Sequence, residues 1–337
     1  MGNLVISVSP HIKSKSSTSR IMLDVIIALI PALIASVIIF GLRSLLVTAV
    51  CIIFAVLSEF AFEKLCKKPV TVGDLSAVVT GMLLAFNLPV SIPLWQAAFG
   101  SVVAIIVVKQ LFGGIGMNFA NPAITARIIL LLAFGSTLSH WLTPDKVGLT
   151  ELSGAALADL EASATPLANI VDPTATLPSV TNLVLGNISG CIGETCSLAL
   201  ILGFIYLVIR RIITPHIPLV FVGTVFVMAL LLAPEEVSKS LNVTGIVNLD
   251  YAIYQVFSGG LLLGAIFMAT DYVTSPVTGW GKIIFGIGCG FITFMIRRYG
   301  TLPEGVSYAI LFMNILTPYI NKWTTTKPFG ATGGAEK

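Results

Sequence analysis

Few side chains in this sequence can do chemistry, and most of those sit where charge is costly. Asp24, Glu59, Arg127 and Glu194 fall inside apolar runs of a 337-residue chain, with Lys109 and Asp271 close to the ends of such runs. A charge at mid-bilayer costs about 2.5–3.5 kcal/mol even on the lenient insertion scale, so it normally has a partner or lines a pathway. Asp24 and Glu59 are expected within about a turn of a cytoplasmic helix end, where they can snorkel to polar surroundings. Arg127 follows the glycine-rich "GGIGMNFANP", and Glu194 opens an apolar run in "GNISGCIGET". Both are open to a functional and to a structural ion-pair reading; with Asp271 they are the candidates for an ion pathway or a ligand pocket. "MATDYVTSPVTGWGK" (Met268–Lys282) reads as an interrupted helix whose hydroxyls and freed carbonyls could line a polar pocket. By contrast "DLEASATPLANIVDPTATLPS" (Asp159–Ser179) is small, hydroxylated, proline-punctuated and mildly acidic.

Other chemistries are excluded. His11, His140 and His216 have no metal-ligand spacing, and no Ser–His–acid set is visible. "FGGIGMN" lacks the strand–turn–helix context of a dinucleotide fold. The five cysteines (Cys51, Cys66, Cys191, Cys196, Cys289) form no CxxC pair. They therefore read as small hydrophobes packed between helices, with neither a disulfide framework nor an iron–sulfur run. A net charge of only +3 argues against nucleic acid as a partner.

The elements that must position these residues are membrane helices. The chain is 56% hydrophobic and 10% charged, with a mean hydropathy of +0.97, against about 25% charged residues in a soluble domain. Apolar runs of about 20 residues span a bilayer. Ten are read: Ile21–Phe40, Ser44–Phe62, Leu75–Val90, Pro93–Val108, Pro122–Leu142, Leu183–Ile209, Ile212–Ala233, Tyr251–Thr270, Ile283–Ile296 and Gly305–Ile320. The expected fold is thus an all-α polytopic membrane protein of about ten transmembrane helices, one integral domain over residues 1–337. The polar, basic start of the chain lacks the early apolar core of a cleavable signal peptide.

Lys and Arg are retained in the cytoplasm. Lys13, Lys15 and Arg20 precede the first span, Lys64, Lys67 and Lys68 follow the second, Arg210 and Arg211 the sixth, and Lys322 and Lys327 the tenth. Ten spans put all of these on one side. Residues 1–20 and the 321–337 tail are then cytoplasmic, and the 143–182 loop is external, with five acids against the one base Lys146. Arg297–Arg298 breaks the rule by falling at the outer end of span nine; either a neighbouring span is misread or protein holds this pair. "VVTGMLLAFNLP" (Val78–Pro89) resembles "VFSGGLLLGAIF" (Val256–Phe267), and each copy continues to a basic span end and an Asn-xxx-Pro. An odd number of spans separates the copies, so they would form an inverted repeat, with a site near the midplane at their interface.

"MLDVIIALIPALIAS", "VVTGMLLAFNLP", "VVKQLFGGIGMNFANPAITAR", "LVLGNISGCIGET", "FSGGLLLGAIFMATDYVTSP" and "PEGVSYAILFMNILTP" together resemble the NqrB/RnfD family, and within it the RnfD branch of the Rnf complex, from Ser9 to about Asn321. The resemblance implies a membrane subunit of a bacterial respiratory complex in the cytoplasmic (inner) membrane. Such a complex moves electrons between reduced ferredoxin and NAD while pumping sodium ions or protons, and this component is inactive alone. It implies FMN joined by a phosphoester to a threonine at a motif matched by Asp159, Leu160, Glu161, Ala162, Ser163, Ala164, Thr165, Pro166 and Leu167, with Thr165 as acceptor. Ala162 departs from the pattern, where a hydroxyl residue is usual. Thr176 also ends an Ala-Thr, but Ile170 stands where the aspartate should be. The implied partners are the other Rnf subunits, a flavin transferase and the bilayer. Some relatives also bind non-covalent riboflavin, and Arg127, Glu194 and Asp271 are candidates to line a flavin pocket as well as an ion path. Two other readings compete: a substrate channel or secondary transporter, which the span count and repeat also suit, and a passive scaffold for redox partners.

The orientation is testable. In a background without native cysteines, Ala168→Cys should react with an impermeant thiol reagent in intact cells. Labelling only after lysis would reject the ten-span topology.

Overall fold

The computed structural model describes residues 17–143, 164–170, 177–234, 246–300 and 304–325. Among these there are helices and irregular segments and no strand. Helix α1 (Thr18–Phe40) starts where the Ser17 hydroxyl accepts the Arg20 N–H, and ends at Gly41, whose φ of 74° favours a residue without a side chain. The chain turns there directly into α2 (Leu42–Leu65). The other elements are α3 (Ser76–Phe86), α4 (Leu94–Gln110, ending in a π-helical stretch from Ala104), α5 (Pro122–Ala133), α6 (Gly135–Leu138), α7 (Pro166–Asn169), α8 (Val180–Leu185), α9 (Ser197–Ile209), α10 (His216–Leu231), α11 (Val247–Phe257), α12 (Leu261–Met268), α13 (Gly279–Tyr299) and α14 (Val306–Thr324).

Among the described residues three helices, α1, α2 and α13, are long and apolar enough to cross a membrane alone; α11 and α12 form an apolar pair bent by 60°, a broken span or a re-entrant loop. Among the described residues five shorter apolar helices, α3, α4, α5, α9 and α10, join them, and α14 lies over the last of the expected runs. The shortest of them, α3, works because it is enclosed. The 11 residues of α3 are nearly all buried and rise only about 16 Å, roughly half of a hydrocarbon core of about 30 Å. The rest of that crossing is irregular chain, tolerated at depth only where protein satisfies its backbone. Arg43 does so here, donating from Nη2 to the Ile92 carbonyl at 2.9 Å.

The two halves share a packing order. In the first half α2 lies against α3 and α4, and α4 against α5; in the second α10 lies against α11, α12 and α13, and α13 against α14. The halves join where α1 meets α9. A Cβ on Gly203 would come within 2.4 Å of the Ala28 carbonyl oxygen, so glycine permits this crossing.

Three expectations need correction. Leu183–Ile209 is not one helix: α8 ends at Gly186 (φ 96°), and the chain stays irregular to Cys196 before α9. Pro122–Leu142 stops as a helix at Ala133. Glu59 does not snorkel: it is 0% exposed, and its Oε1 accepts from Lys109 Nζ at 2.5 Å and Gln110 Nε2 at 2.8 Å. The π-helical turn brings these two adjacent residues to the same carboxylate. Asp24 is partly exposed and paired with Arg210 Nη2 at 3.2 Å. The orientation-breaking Arg297 is held by protein, as one of the two alternatives required: its Nη1 donates to the Gln255 carbonyl at 2.6 Å and its Nη2 to Glu304 Oε1 at 3.0 Å.

Leaving one member of a buried pair uncompensated typically costs about 3–5 kcal/mol. Glu59→Ala should therefore deplete the protein from membranes on an immunoblot, and Glu59→Gln with Lys109→Met should recover most of it. A normal level in the single variant would contradict a structural role for the pair.

Candidate functional site

Two helix interruptions, one from each half of the chain, lie close together. The first follows α3, where Asn87–Pro93 leaves helical geometry. The second is Ser258–Gly260, between α11 and α12. The irregular segment Gly186–Cys196 closes over both. Ile192 N donates to the Leu88 carbonyl and Gly193 N to the Phe86 carbonyl, each at 3.0 Å, and Cys191 Sγ to the Asn87 carbonyl at 3.2 Å. A Cβ on Gly193 would lie 2.2 Å from the Phe86 ring, so only glycine allows this approach.

Arg127 stands at the centre. Asn121 caps α5 by accepting the Ala123 and Ile124 N–H groups, and Pro122 pre-sets the first turn. One and a half turns on, Arg127 is buried, with Nη1 donating to Asn87 Oδ1 at 3.0 Å and Ser307 Oγ at 2.9 Å. Its contacts thus tie the first half to the start of α14 in the second. Glu194 lies in the irregular segment, not at the start of a span as expected. Its Oε1 accepts from Cys191 N at 3.0 Å, and its Oε2 has no partner. No ion pair between Arg127 and Glu194 is present within 4.0 Å; neutral acceptors occupy the guanidinium. Glu304 completes the group, accepting from Gly260 N at 2.8 Å and from Arg297. The structure therefore brings Arg127 and Glu194 together and adds Asn87, Ser307 and Glu304, which sequence reasoning did not single out, and Arg297, which it noted only as a breach of the orientation rule. The one signal was that Asn87, Glu304 and Ser307 lie inside the blocks that carry the family resemblance.

A cavity of about 230 Å³ opens beside this group, with Arg127, Asn87 and Glu304 as its polar part and Leu131, Trp141 and Tyr308 among its walls. Asp271 is elsewhere. It accepts from Thr274 Oγ1 at 3.1 Å in the interruption between α12 and α13, and lines a second cavity of about 110 Å³ with Lys109, Asn118 and Asn121. Between the cavities lies one polar layer. Asn121 Nδ2 donates to the Met268 carbonyl at 3.2 Å, and Asn87 Nδ2 approaches Met268 Sδ at 3.6 Å. Asn314, with its amide turned to suit its neighbours, bridges Asn121 N and the Thr274 carbonyl.

Thr165 caps α7, its Oγ1 accepting the Ala168 N–H at a long 3.4 Å. It is half-buried and Ala164 is exposed; Leu167 and Ile170 are buried, Ile170 in a cluster with Tyr251 and Tyr254 of α11. Tyr254 also donates to the Pro178 carbonyl at 2.5 Å, so one helix fastens both described arms of the loop. Asp159, Ser163 and Thr176 lie outside the described residues. All five cysteines are free, and the described residues hold no cluster of three or more His, Cys, Asp or Glu suited to a metal.

The model of the NQR2, RnfD, RnfE family matches residues 5–330. The chain belongs to that family. Among curated members it is 45% identical over 333 residues to the D component of the Na(+)-translocating ferredoxin:NAD(+) oxidoreductase complex of Acetobacterium woodii, covering 98% of this chain and 96% of the relative. It is 38% identical over 328 residues to the D component of the proton-translocating ferredoxin:NAD(+) oxidoreductase complex of Clostridium ljungdahlii, covering 96% of each. It is 37% identical over 339 residues to the D component of the ion-translocating oxidoreductase complex of Stutzerimonas stutzeri, covering 94% of this chain and 93% of the relative. The NQR2, RnfD, RnfE membership and the described helices agree on a multi-pass membrane protein.

Gly193→Ala should lower the thermal midpoint of the purified chain by several degrees, because the Phe86 backbone and ring cannot both yield. Gly223→Ala, where a Cβ would meet nothing within 4 Å, should stay within about 0.5 kcal/mol of the parent. Equal effects would contradict the tight closure of the Gly186–Cys196 segment over α3.

Proposed function

We propose that this chain is the D-type membrane component of an ion-translocating ferredoxin:NAD oxidoreductase, carrying FMN as a phosphoester on Thr165. The near full-length similarity to components so named supports the complex and favours it over the secondary-transporter and scaffold readings. The other Rnf subunits are its partners, and a flavin transferase loads it. The complex sits in the bacterial cytoplasmic membrane, with both termini inside and the Thr165 loop outside.

The observation that carries the flavin assignment is how Thr165 is presented. Its hydroxyl is the only oxygen on a half-buried side chain whose small neighbour Ala164 is exposed, while Leu167 and Ile170 hold the following turn against α11. The acceptor is thus accessible yet fixed in place. Asp159 and Ser163 complete the recognised sequence. Bound FMN supplies one-electron chemistry, and the phosphoester leaves its ring free for that work. The chain's own residues bind and orient. The cavity walled by Trp141, Tyr308 and Leu131 offers flat apolar surface, and Arg127 supplies donors for ring carbonyls. Glu194 borders the same Gly260 break. A second, non-covalent flavin such as riboflavin has a candidate seat in the apolar-walled cavity beside Lys109 and Asp271; that cavity and the Asp271 interruption also offer polar groups to an ion.

Thr165→Val keeps the side-chain shape and removes the only oxygen able to form the ester. In cells that express the transferase it should abolish the flavin band seen under ultraviolet light on a denaturing gel, and stop electron flow, at unchanged protein level. Thr165→Ser should keep part of the band, Asp159→Ala should weaken it and Thr176→Val should leave it intact. A flavin peptide from the Thr165→Val protein would overturn the assignment.

A further inference from the structure

One edge of the second half gathers cations and exposed aromatic side chains that the flavin reading does not use. Three stretches of chain are fastened together there. Tyr272, in the interruption between α12 and α13, donates its hydroxyl to the Ile212 carbonyl, and Lys282 Nζ donates to Thr214 Oγ1 at 3.2 Å. The turn between α9 and α10 therefore lies against the start of α13. The end of α14 joins them: Asn321 Oδ1 accepts the Val277 N–H at 3.1 Å, and the Thr278 and Thr324 hydroxyl oxygens are 2.6 Å apart. Arg211, Lys282 and Lys322 are thereby brought to one edge, and none has a carboxylate within 4.0 Å among the described residues. Trp280 and Trp323 stand beside them, 74% and 75% exposed. We propose that this edge binds the headgroup of an anionic phospholipid whose acyl chains lie along α13 and α14.

The surface selects the ligand. From Trp280, α13 continues with exposed Ile284, Ile287 and Phe291 at helical spacing. Towards Trp323, α14 exposes Phe312, Ile315 and Tyr319 in the same way. The two helices pack along each other, with Met313 filling the space beside Gly288. Each tryptophan thus heads an apolar stripe on either side of one seam. Acyl chains cover such stripes, whereas a free phosphate or an acidic soluble partner would leave them bare. Tryptophan and tyrosine rings settle at headgroup level, and Lys and Arg attract anionic lipid there. The three cations fix the sign of the head. Lys282 gives Thr214 one of its three donors and keeps two for phosphate oxygens. A head that carries its own cation, such as choline, would set like charge against all three. The proposal needs the membrane location and is independent of the covalent flavin.

The test is thermal unfolding of the purified full-length chain in a neutral detergent, with dioleoylphosphatidylglycerol or dioleoylphosphatidylcholine added stepwise. A ligand that binds only the folded state raises the midpoint as it saturates. Phosphatidylglycerol should reach its half-effect at a several-fold lower concentration than phosphatidylcholine. Arg211→Gln, Lys282→Gln and Lys322→Gln together should remove that preference, each alone raising the phosphatidylglycerol half-effect by about fivefold. Lys64→Gln with Lys67→Gln and Lys68→Gln takes away equal charge at the end of α2 and should leave the preference intact. If the first triple variant fails to fold, Lys322→Gln alone decides, and an unmoved half-effect there would sink the proposal. Equal responses to the two lipids would overturn it. So would a control triple variant that also loses the preference, pointing to net charge without a site. Glycerol phosphate acting as well as the whole lipid would overturn it in favour of a free anion. Indifference to both lipids would overturn it too, and leave this face to a protein partner.

Discussion

Hydrocarbon offers no hydrogen bonds, so every irregular stretch of backbone at membrane depth must be satisfied from within the protein. That constraint organises this fold. The chain leaves helical geometry after α3 and again between α11 and α12, and each departure frees carbonyls and N–H groups inside the protein. The Gly186–Cys196 segment answers the first by bonding to the Phe86 and Leu88 carbonyls. Arg297 and Glu304 answer the second, one donating to the Gln255 and Ser258 carbonyls, the other accepting the Gly260 N–H. Arg127 then ties the two repairs together through Asn87 and Ser307. The polar cluster is therefore structural by necessity, and the cavity beside it makes it available to function.

The two halves use the same device at opposite ends. Lys109 at the end of α4 is gripped by Glu59 and by Ser76, the first residue of α3. Arg297 near the end of α13 is gripped by Glu304 and by the carbonyl of Ser258, just before α12. In each half a cation on the fourth segment pins the start of a short, enclosed helix. The apparent breach of the orientation rule at Arg297 has a physical reason: protein groups, Glu304 and the Gln255 and Ser258 carbonyls, hold that cation.

Much of this was legible in the sequence. Composition and the apolar runs pointed to the fold class, the near-continuous blocks to the family, and Val78–Pro89 and Val256–Phe267 mark segments that the structure places in similarly packed helices of the two halves. What stayed hidden depended on pairing across the chain. Glu59 read as a snorkelling carboxylate because nothing local shows Lys109, fifty positions away, arriving beside it. The break inside Leu183–Ile209 was written in "GNISG", but hydropathy averages over such short polar patches. Glu304 sat in an ordinary loop by sequence and became part of the site only when α13 and α14 folded back. Arg127 and Glu194 were recognised because an intramembrane charge is conspicuous, although neither takes the other as an ion-pair partner; Asp271 was equally conspicuous and belongs to a different cavity.

Whether this scaffold carries a covalent flavin is decided most directly by intact-mass spectrometry of the purified chain, with peptide mapping. A covalent flavoprotein should show a mass excess of one FMN less one water, carried by the peptide that contains Thr165. An unmodified mass from cells that contain the transferase, or the excess mapped to any other residue, would contradict it.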